Sequence, residues 1–215
     1  MKLNFTKMQG AGNDYIYIDC RAAGLPPDAA AWAVQLSRRH FSVGADGVIY
    51  LCPPLRADGD AAMRMFNADG SEGKMCGNAT RCIGKYVYDN GLTGKTELTL
   101  ETLSGIKHLK LFPENGKVVS VSVDMGAYIL APKDIPMTAQ GASFIDQPIE
   151  VRGETVRATA LSVGNPHCVI FVEDERTLDL EAIGPLYENL PLFPERVNTE
   201  FVRLIDRSTI AMRVW

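Results

Sequence analysis

The sequence of 215 residues lacks several features that would assign it to a particular class of protein. Its longest strongly apolar run, residues 168–172, is far too short to span a bilayer. Residues 1–7 lack the apolar core of a secretory signal peptide, and the five cysteines are an odd number. We therefore expect a cytoplasmic protein with reduced thiols and no membrane partner.

An excess of positive charge is also missing. The chain has 22 Lys and Arg against 26 Asp and Glu, which gives a formal net charge of −4. Proteins that bind nucleic acid through its phosphates are usually basic. The charge balance therefore argues against a nucleic-acid partner.

Motifs for cofactors and metals are absent as well. The sequence contains no Gly-x-Gly-x-x-Gly and no Gly-x-x-x-x-Gly-Lys, so neither common phosphate-binding loop is present. It has three histidines and no Cys-x-x-Cys pair, which argues against a zinc site. We expect no nucleotide, flavin, pyridoxal phosphate or metal cofactor.

The composition itself is that of a globular protein, with 46% hydrophobic and 22% charged residues. Short strand-like runs alternate with turns, and few helical patterns occur among them, which predicts an α+β fold. The predicted strands span residues 15–18, 47–51, 63–66, 97–101, 119–123, 155–161 and 168–172. The predicted helices span residues 28–40, 78–90 and, more weakly because Gly184-Pro185 interrupts the pattern, 178–190.

A faint internal repeat divides the chain. Gly12-Asn13 before an apolar strand recurs 152 residues later as Gly164-Asn165, and residues 62–66 recur 149 residues later as 211–215. Nearly equal offsets indicate two homologous halves, with coincidence between short strand motifs as the alternative. We place the two halves at residues 1–117 and 118–215.

The second copy of the repeat reaches Trp215 before any counterpart of residues 67–78 of the first copy. A chain with two full copies would have about 270 residues. The repeat therefore predicts that this sequence is a fragment of a longer protein.

The strongest candidate for chemistry is Cys76, in the segment Met75-Cys76-Gly77-Asn78. A turn-rich loop leads into this cysteine, and a helical pattern begins after it. The N-terminus of a helix carries partial positive charge and unpaired N–H groups, which favour a thiolate and can hold a carboxylate. The segment therefore offers a base or nucleophile beside an anion site. A buried structural cysteine is the alternative.

The other four cysteines fall on an apolar helix face or at strand ends, so we expect structural roles for Cys20, Cys52, Cys82 and Cys168. His167, after the turn Gly164-Asn165-Pro166, is the histidine best placed to act as a base. Four asparagines stand in turns beside strands, a common position for this residue: Asn13, Asn67, Asn165 and Asn198. Because an amide offers both a donor and an acceptor, they are also candidate ligands for a zwitterion.

Taken together, these segments resemble the diaminopimelate epimerase family, in order and over the whole chain. The resemblance rests on Gly10-Ala11-Gly12-Asn13-Asp14, Gly44-Ala45-Asp46-Gly47, Phe66-Asn67-Ala68-Asp69-Gly70-Ser71-Glu72, Met75-Cys76-Gly77-Asn78, Gly164-Asn165-Pro166-His167 and Val197-Asn198-Thr199-Glu200-Phe201-Val202.

The resemblance implies a cofactor-independent isomerase that interconverts LL- and meso-diaminopimelate, on the route to lysine and the bacterial cell wall. It also implies two pseudo-symmetric lobes, each a curled mixed sheet around a central helix, and assembly into homodimers. In the family, two cysteines face each other across the cleft between the lobes. One thiolate takes the α-proton, and the other thiol returns a proton to the opposite face.

Carried over residue by residue, the resemblance gives roles to eight positions. Cys76 matches the first catalytic cysteine, and His167 matches a histidine near the catalytic centre. Gly77 and Asn78 match the helix-start groups that hold the α-carboxylate. The resemblance implies further substrate contacts by Asn13, Asn67, Asn165 and Asn198.

The sequence departs from the family pattern at three points. Ala79 replaces the usual glycine after Cys-Gly-Asn, and Thr80 follows it; both are small, so we expect the helix start to persist. Gly47 stands where some members carry glutamine, which leaves that substrate contact open. The family's Glu-Arg pair and second catalytic cysteine are not found in residues 1–215, so we expect this polypeptide alone to be inactive.

Three other interpretations compete with this one. Proline racemase and related isomerases share the two-cysteine architecture but resemble this chain less around Asn78 and Asn165. A non-catalytic lobe that binds amino-acid carboxylates would need Cys76 for structure alone. An isomerase-like homologue of the phenazine-biosynthesis type has no catalytic cysteine at this position, so Cys76 argues against it.

Overall fold

The computed structural model describes residues 2–215, which form two compact units, one extending to Met125 and the other comprising Gly126–Trp215. Both units combine β-sheet with few helices, so the predicted α+β class is confirmed. The elements of the first unit are β1 (Thr6–Gly10), β2 (Asn13–Asp19), α1 (Ala29–Ser37), β3 (Gly47–Cys52), β4 (Ala61–Asn67), β5 (Glu72–Gly73), α2 (Gly77–Asp89), β6 (Glu97–Thr102), β7 (Gly105–Glu114) and β8 (Lys117–Asp124). Those of the second unit are β9 (Phe144–Val151), β10 (Glu154–Ser162), β11 (Pro166–Phe171), α3 (Leu180–Glu188), β12 (Asn198–Leu204) and β13 (Ile210–Val214), with 3₁₀ turns at Pro132–Asp134 and Glu175–Thr177.

The first unit is one mixed sheet in the order β1-β2-β3-β4-β6-β7-β8, with β5 paired to β4. The pairs β2–β3 and β4–β6 are parallel, and the other neighbouring strands are antiparallel. Helix α2 packs against β1 and β2 at one end of the sheet and against β7 and β8 at the other. The sheet therefore curls around α2.

Helix α2 forms where apolar residues recur at helical spacing, since Ala79, Cys82, Ile83 and Val87 are all buried. They share one core with the inward-facing residues of the curled sheet. Each fully buried aliphatic side chain of this kind contributes about 2 kcal/mol to stability. The helix ends at Asp89, and Gly91 follows with a φ of 67°, which is typical of a C-terminal stop.

Helix α1 covers the opposite face of the same sheet, where it contacts β3 and β4. It ends at Ser37, three residues before the predicted end. The chain then turns back, and the amides of Gly44 and Ala45 donate to the carbonyls of Leu36 and Ser37 at 2.9 and 3.1 Å. The turn that leads into β3 thus satisfies carbonyls that a longer helix would have used.

The second unit is a five-stranded sheet in the order β13-β12-β11-β10-β9, with α3 packed against β12. Its pair β11–β12 is parallel and its other pairs are antiparallel. The segment β10-β11-α3-β12-β13 therefore has the same order and pairing directions as β1-β2-α1-β3-β4. The internal repeat predicted from sequence is thus present in the fold, as two lobes of related topology.

Strand register aligns the two copies residue by residue. Tyr15 lies opposite Gly47 on β3, and His167 lies opposite Asn198 on β12. Tyr15 and His167 each stand two residues after the Gly-Asn dipeptide that marks its copy of the repeat. The two side chains therefore occupy equivalent positions in the two units.

All seven predicted strands are present, with ends that differ by at most two residues from the prediction. Six further strands are not among those predicted: β1, β5, β7, β9, β12 and β13. The expected boundary between residues 117 and 118 falls within β8, after its first residue. Because β8 pairs with β7 along its length, the compact units divide later, after Met125.

Helix α3 is continuous through Gly184-Pro185, and the glycine has a packing role. A Cβ added at Gly184 would overlap the ring of Trp215. The indole Nε1 of Trp215 donates to Oε2 of Glu188 at 2.9 Å, which holds the ring against the helix. The absence of a side chain at Gly184 therefore lets α3 lie against the end of β13.

Substituting Gly184→Ala is expected to destabilise the second unit by about 2 kcal/mol, because the added methyl group forces the Trp215 ring to move. The measurement is urea unfolding followed by fluorescence in a Trp32→Phe background, which leaves Trp215 as the reporter. Gly94→Ala is the matched control, since nothing lies within 4 Å of a Cβ at that position. Equal stability of the Gly184→Ala variant and its parent would contradict this packing.

Candidate active site

Cys76 occupies the N-cap position of α2 and is partly exposed. Its backbone is extended, with φ −137° and ψ 117°, and its carbonyl accepts hydrogen bonds from the amide and the hydroxyl of Thr80, both at 2.9 Å. Among the residues that the structure describes, no side chain caps the first amides of α2. The N–H groups of Gly77 and Asn78 are therefore available to an anion beside the thiol.

The departure at Ala79 leaves this helix start intact. Helix α2 begins at Gly77, and Ala79 and Thr80 are both 0% exposed. Their small side chains fit the interior of the curled sheet, as expected from the sequence.

Asn78, in the first turn of α2, is held by the beginning of β2. Its Nδ2 donates to Oδ1 of Asn13 at 2.6 Å, and Arg81 donates to its Oδ1. The Nδ2 of Asn13 in turn donates to Oδ2 of Asp46 at 3.4 Å. Two of the predicted substrate ligands, Asn13 and Asn78, are thus in direct contact at the helix start that carries Cys76.

A cluster of charged residues fixes the start of β2. Oδ2 of Asp46 accepts a hydrogen bond from the amide of Asp14 at 3.0 Å, and Arg39 donates to both carboxylates. Hydrogen bonds from Arg39 and then Lys7 hold the pKa of Asp14 well below its usual range, so this carboxylate stays charged. No sequence pattern marks these residues, although Asp14 and Asp46 lie within two of the motifs that carry the family resemblance.

Tyr15 is a further residue of this site. Alternate side chains of a strand share a face, so Tyr15 follows Asn13 on the side of β2 that faces α2. Its residue exposure is 5%, and it belongs to the core against which Cys76 packs. Burial, and after it the charge of the neighbouring Cys76 sulfur, raise the pKa of Tyr15. The phenol therefore keeps its proton and can donate it to the sulfur in a hydrogen bond.

The other four cysteines have the structural character that the sequence predicts, since all are buried: Cys20, Cys52, Cys82 and Cys168. Burial raises the pKa of Cys20 to about 11 and that of Cys168 to about 12. It also raises the pKa values of Cys52 and Cys82. These four groups remain protonated thiols at neutral pH.

Asn67 lies at the same end of the sheet but is engaged elsewhere. It pairs with Gly47 at the end of β4, and its Nδ2 donates to Oγ of Ser71 at 3.0 Å. The side chain therefore stabilises its own turn, and a role in substrate binding stays a prediction. A Cβ at Gly47 would overlap the carbonyl of Phe66, so the glutamine of some family members does not fit this backbone.

The second unit brings three predicted residues together: Asn165, His167 and Asn198. Nε2 of His167 lies 3.1 Å from Oδ1 of Asn165, and Nδ1 lies 2.6 Å from Oε1 of Glu200. Asn198, opposite His167 in register, donates to the carbonyl of Pro166 at 3.1 Å. Glu200 is a residue that sequence reasoning missed, although it follows Asn198 at the two-residue spacing of a strand face.

These features suit proton transfer next to a carboxylate, with a partly exposed thiol, a phenol and amide groups at a helix start. Within residues 2–215, no group of three or more His, Cys, Asp or Glu is arranged to hold a metal ion. Over the same described range, no helix is both long and apolar enough to cross a membrane.

Comparison with known proteins identifies the family. The model of the diaminopimelate epimerase family matches residues 5–131 and 159–215. A diaminopimelate epimerase from Acetivibrio thermocellus is 48% identical over 213 residues, which cover 99% of this chain and 75% of that relative. The chain belongs to the diaminopimelate epimerase family. A second relative of that name, from Methanothermobacter thermautotrophicus, is 48% identical over 213 residues and covers 98% of this chain and 74% of its own length.

This diaminopimelate epimerase family member is accordingly an isomerase, and its fold recurs in solved structures of other enzymes. A probable proline racemase from Agrobacterium radiobacter K84 has a TM-score of 0.66 at 15% identity, covering 99% of this chain and 69% of that one. A PhzF-family phenazine biosynthesis protein from Bacillus anthracis has a TM-score of 0.63 at 18% identity, covering 100% and 72%. At such identities the likeness shows the fold alone, and it confirms the predicted architecture.

Alkylation is expected to label Cys76 first, because the other four thiols are buried and protonated. The measurement is the rate of modification by iodoacetamide at pH 7, mapped by peptide mass spectrometry. Cys76→Ser should abolish the fast phase, whereas the matched control Cys82→Ala, within the same helix, should retain it. A fast phase that survives Cys76→Ser, or none in the parent protein, would show that the exposed thiol has been misassigned.

Proposed function

We propose that this diaminopimelate epimerase family member interconverts LL- and meso-diaminopimelate by thiol acid/base catalysis, in lysine and cell-wall precursor biosynthesis. The proposal rests above all on the position of Cys76, a partly exposed thiol at an uncapped helix start, next to Tyr15 and the Asn13–Asn78 pair. The 48% identity to named diaminopimelate epimerases supports the choice of substrate.

Cys76 would move the α-proton of the amino acid. This proton is very weakly acidic, because the neighbouring carboxylate already carries negative charge and no pyridoxal group spreads the carbanion. Fixed N–H dipoles that face the carboxylate stabilise the charge that develops as the proton leaves. The first amides of α2, those of Gly77 and Asn78, are the groups of the first unit that suit this role.

The remaining predicted residues would bind and orient the substrate. Nδ2 of Asn78 donates to Oδ1 of Asn13 at 2.6 Å, so both side-chain amides are already fixed in position before a ligand binds. Asn67, Asn165 and Asn198 are proposed as further contacts on the family resemblance. On the same resemblance, His167 is proposed to act close to the reacting carbon.

Inversion needs two acid/base groups, because a single group returns the proton to the face from which it came. Within the 215 residues, Cys76 is partly exposed, and the other four cysteines are buried in the two units. We therefore propose that this polypeptide by itself does not invert diaminopimelate. Cytoplasmic location and homodimer assembly are part of the proposal on the resemblance alone.

Two alternatives share the same geometry. A proline-racemase-like isomerase would use the same fold and thiol, and an amino-acid-binding lobe would use the helix start without proton transfer. The identity to diaminopimelate epimerases is three times that to the probable proline racemase, at 48% against 15%. It therefore favours a substrate with two amino-acid ends over proline.

Binding tests the proposed ligands separately from turnover. We expect LL-diaminopimelate to bind this chain in calorimetric titration, and Asn78→Ala to weaken it about tenfold, since one hydrogen bond to a charged group contributes about 1.5 kcal/mol. Asn4→Ala, an exposed asparagine of the same unit, is the control and should not change the affinity. Preference for proline, or equal affinity of the Asn78→Ala variant and its parent, would count against the proposed site.

Turnover tests the requirement for a second group. With LL-diaminopimelate and the 215-residue polypeptide, chiral chromatography should show no more meso product than with its Cys76→Ser variant. The physical reason is that the buried thiols cannot reach the opposite face of the α-carbon. Cys76-dependent inversion at an ordinary enzyme rate, about 10 per second, would contradict the proposal that this polypeptide needs a second acid/base group.

A further inference from the structure

His167 and Glu200 form a largely desolvated pair in the second unit. Their side chains are 23% and 12% exposed, and Nδ1 of the ring lies 2.6 Å from Oε1 of the carboxylate. An exposed pair of this kind would contribute little, because water screens both charges. Here the solvent is mostly excluded, so each group depends strongly on the other.

The surroundings of Glu200 give its carboxylate few other partners. Val169 on β11 and Val214 on β13 flank it in the strand register, and its second oxygen, Oε2, is buried without a hydrogen-bond partner in the described part of the chain. The arginines of neighbouring elements are committed elsewhere. Arg203 pairs with Glu175, and Arg213 donates to backbone carbonyls.

Cys168 is the other titratable group that feels this carboxylate, and it lies on the opposite face of the sheet. Burial, and then the charge of Glu200, raise the pKa of Cys168 to about 12, so this thiol stays neutral. Among the described groups next to Glu200, His167 is thus the one that can supply a compensating positive charge.

The chemistry of the two partners fixes the proton on the ring. An ionised carboxylate can accept hydrogen bonds but cannot donate one, so Nδ1 of His167 must carry a proton. Nε2 faces Oδ1 of Asn165 at 3.1 Å, which is also an acceptor in this orientation. A ring protonated on both nitrogens satisfies both contacts.

We propose that Glu200 is a positioning residue, whose carboxylate holds a proton on Nδ1 of His167 and supports the charged form of the ring. This proposal rests on the proposed function for its meaning, because a charged imidazole close to the substrate stabilises negative charge that develops there. Glu200 itself acts through His167 and needs no contact with substrate.

The test is a pH titration of the histidine rings by ¹⁵N-edited NMR on the 215-residue chain. The protein has three histidines, so the signals of His40 and His108 serve as internal references. In the parent protein, the ¹⁵N shifts of the His167 ring should show a proton on Nδ1 at every pH of the titration. In Glu200→Gln, the midpoint of the His167 titration should move to lower pH by about one unit, because an opposite charge within hydrogen-bonding distance shifts such equilibria by one unit or more.

Two further variants separate charge from folding. Glu200→Asp keeps the charge, so its His167 midpoint should lie closer to that of the parent protein than the midpoint of Glu200→Gln does. Glu154→Gln, which alters an exposed glutamate on β10, should leave the His167 midpoint unchanged. Dispersed amide signals from residues 126–215 in the ¹H–¹⁵N spectrum show that the second unit of each variant is folded. An unchanged His167 midpoint in Glu200→Gln, or a parent ring without a proton on Nδ1, would overturn the assignment. Substrate takes no part in this measurement, so failure of the proposed function would appear in the binding experiment instead.

Discussion

An uncapped helix N-terminus enclosed by a curled sheet is the constraint on which the rest of this structure depends. Most helices begin with Ser, Thr, Asp or Asn, whose side chains satisfy the first amides. Helix α2 begins with Cys76, and no described side chain takes that place. The omission costs about 1 kcal/mol of helix stability, and burial of Ile83 and Val87 readily offsets it. The amides that a cap would have used are left for a ligand.

The surrounding residues keep that opening in one arrangement. Asn78 is tied to Asn13, and Asn13 belongs to a strand whose first residues are held by Asp46 and Arg39. The charged cluster therefore positions the site from outside it. Such support explains why a site built from short polar side chains retains a fixed geometry in a partly exposed location.

Local patterns predict much of this molecule. Alternation and helical spacing give the buried strands β2 and β3 and the helix α2, and the loop before that helix gives Cys76. Strand β13 is not among the predicted strands, and its alternating residues Ile210, Met212 and Val214 lie on the exposed face rather than in a core. Local patterns do not predict the roles of Tyr15 and Glu200, for another reason. Their roles arise from contacts with Cys76 and His167, which lie 61 and 33 residues away in sequence, and no local pattern encodes such contacts.

The equivalence of Tyr15 and His167 has a consequence for the chemistry that each half presents. A duplication supplies two copies of each strand position, and these two copies have since diverged in chemistry. The phenol sits in an apolar setting and keeps its proton, whereas the imidazole pairs with a carboxylate on the neighbouring strand. One ancestral position has thus become a phenol beside a thiol in the first half and the partner of a carboxylate in the second.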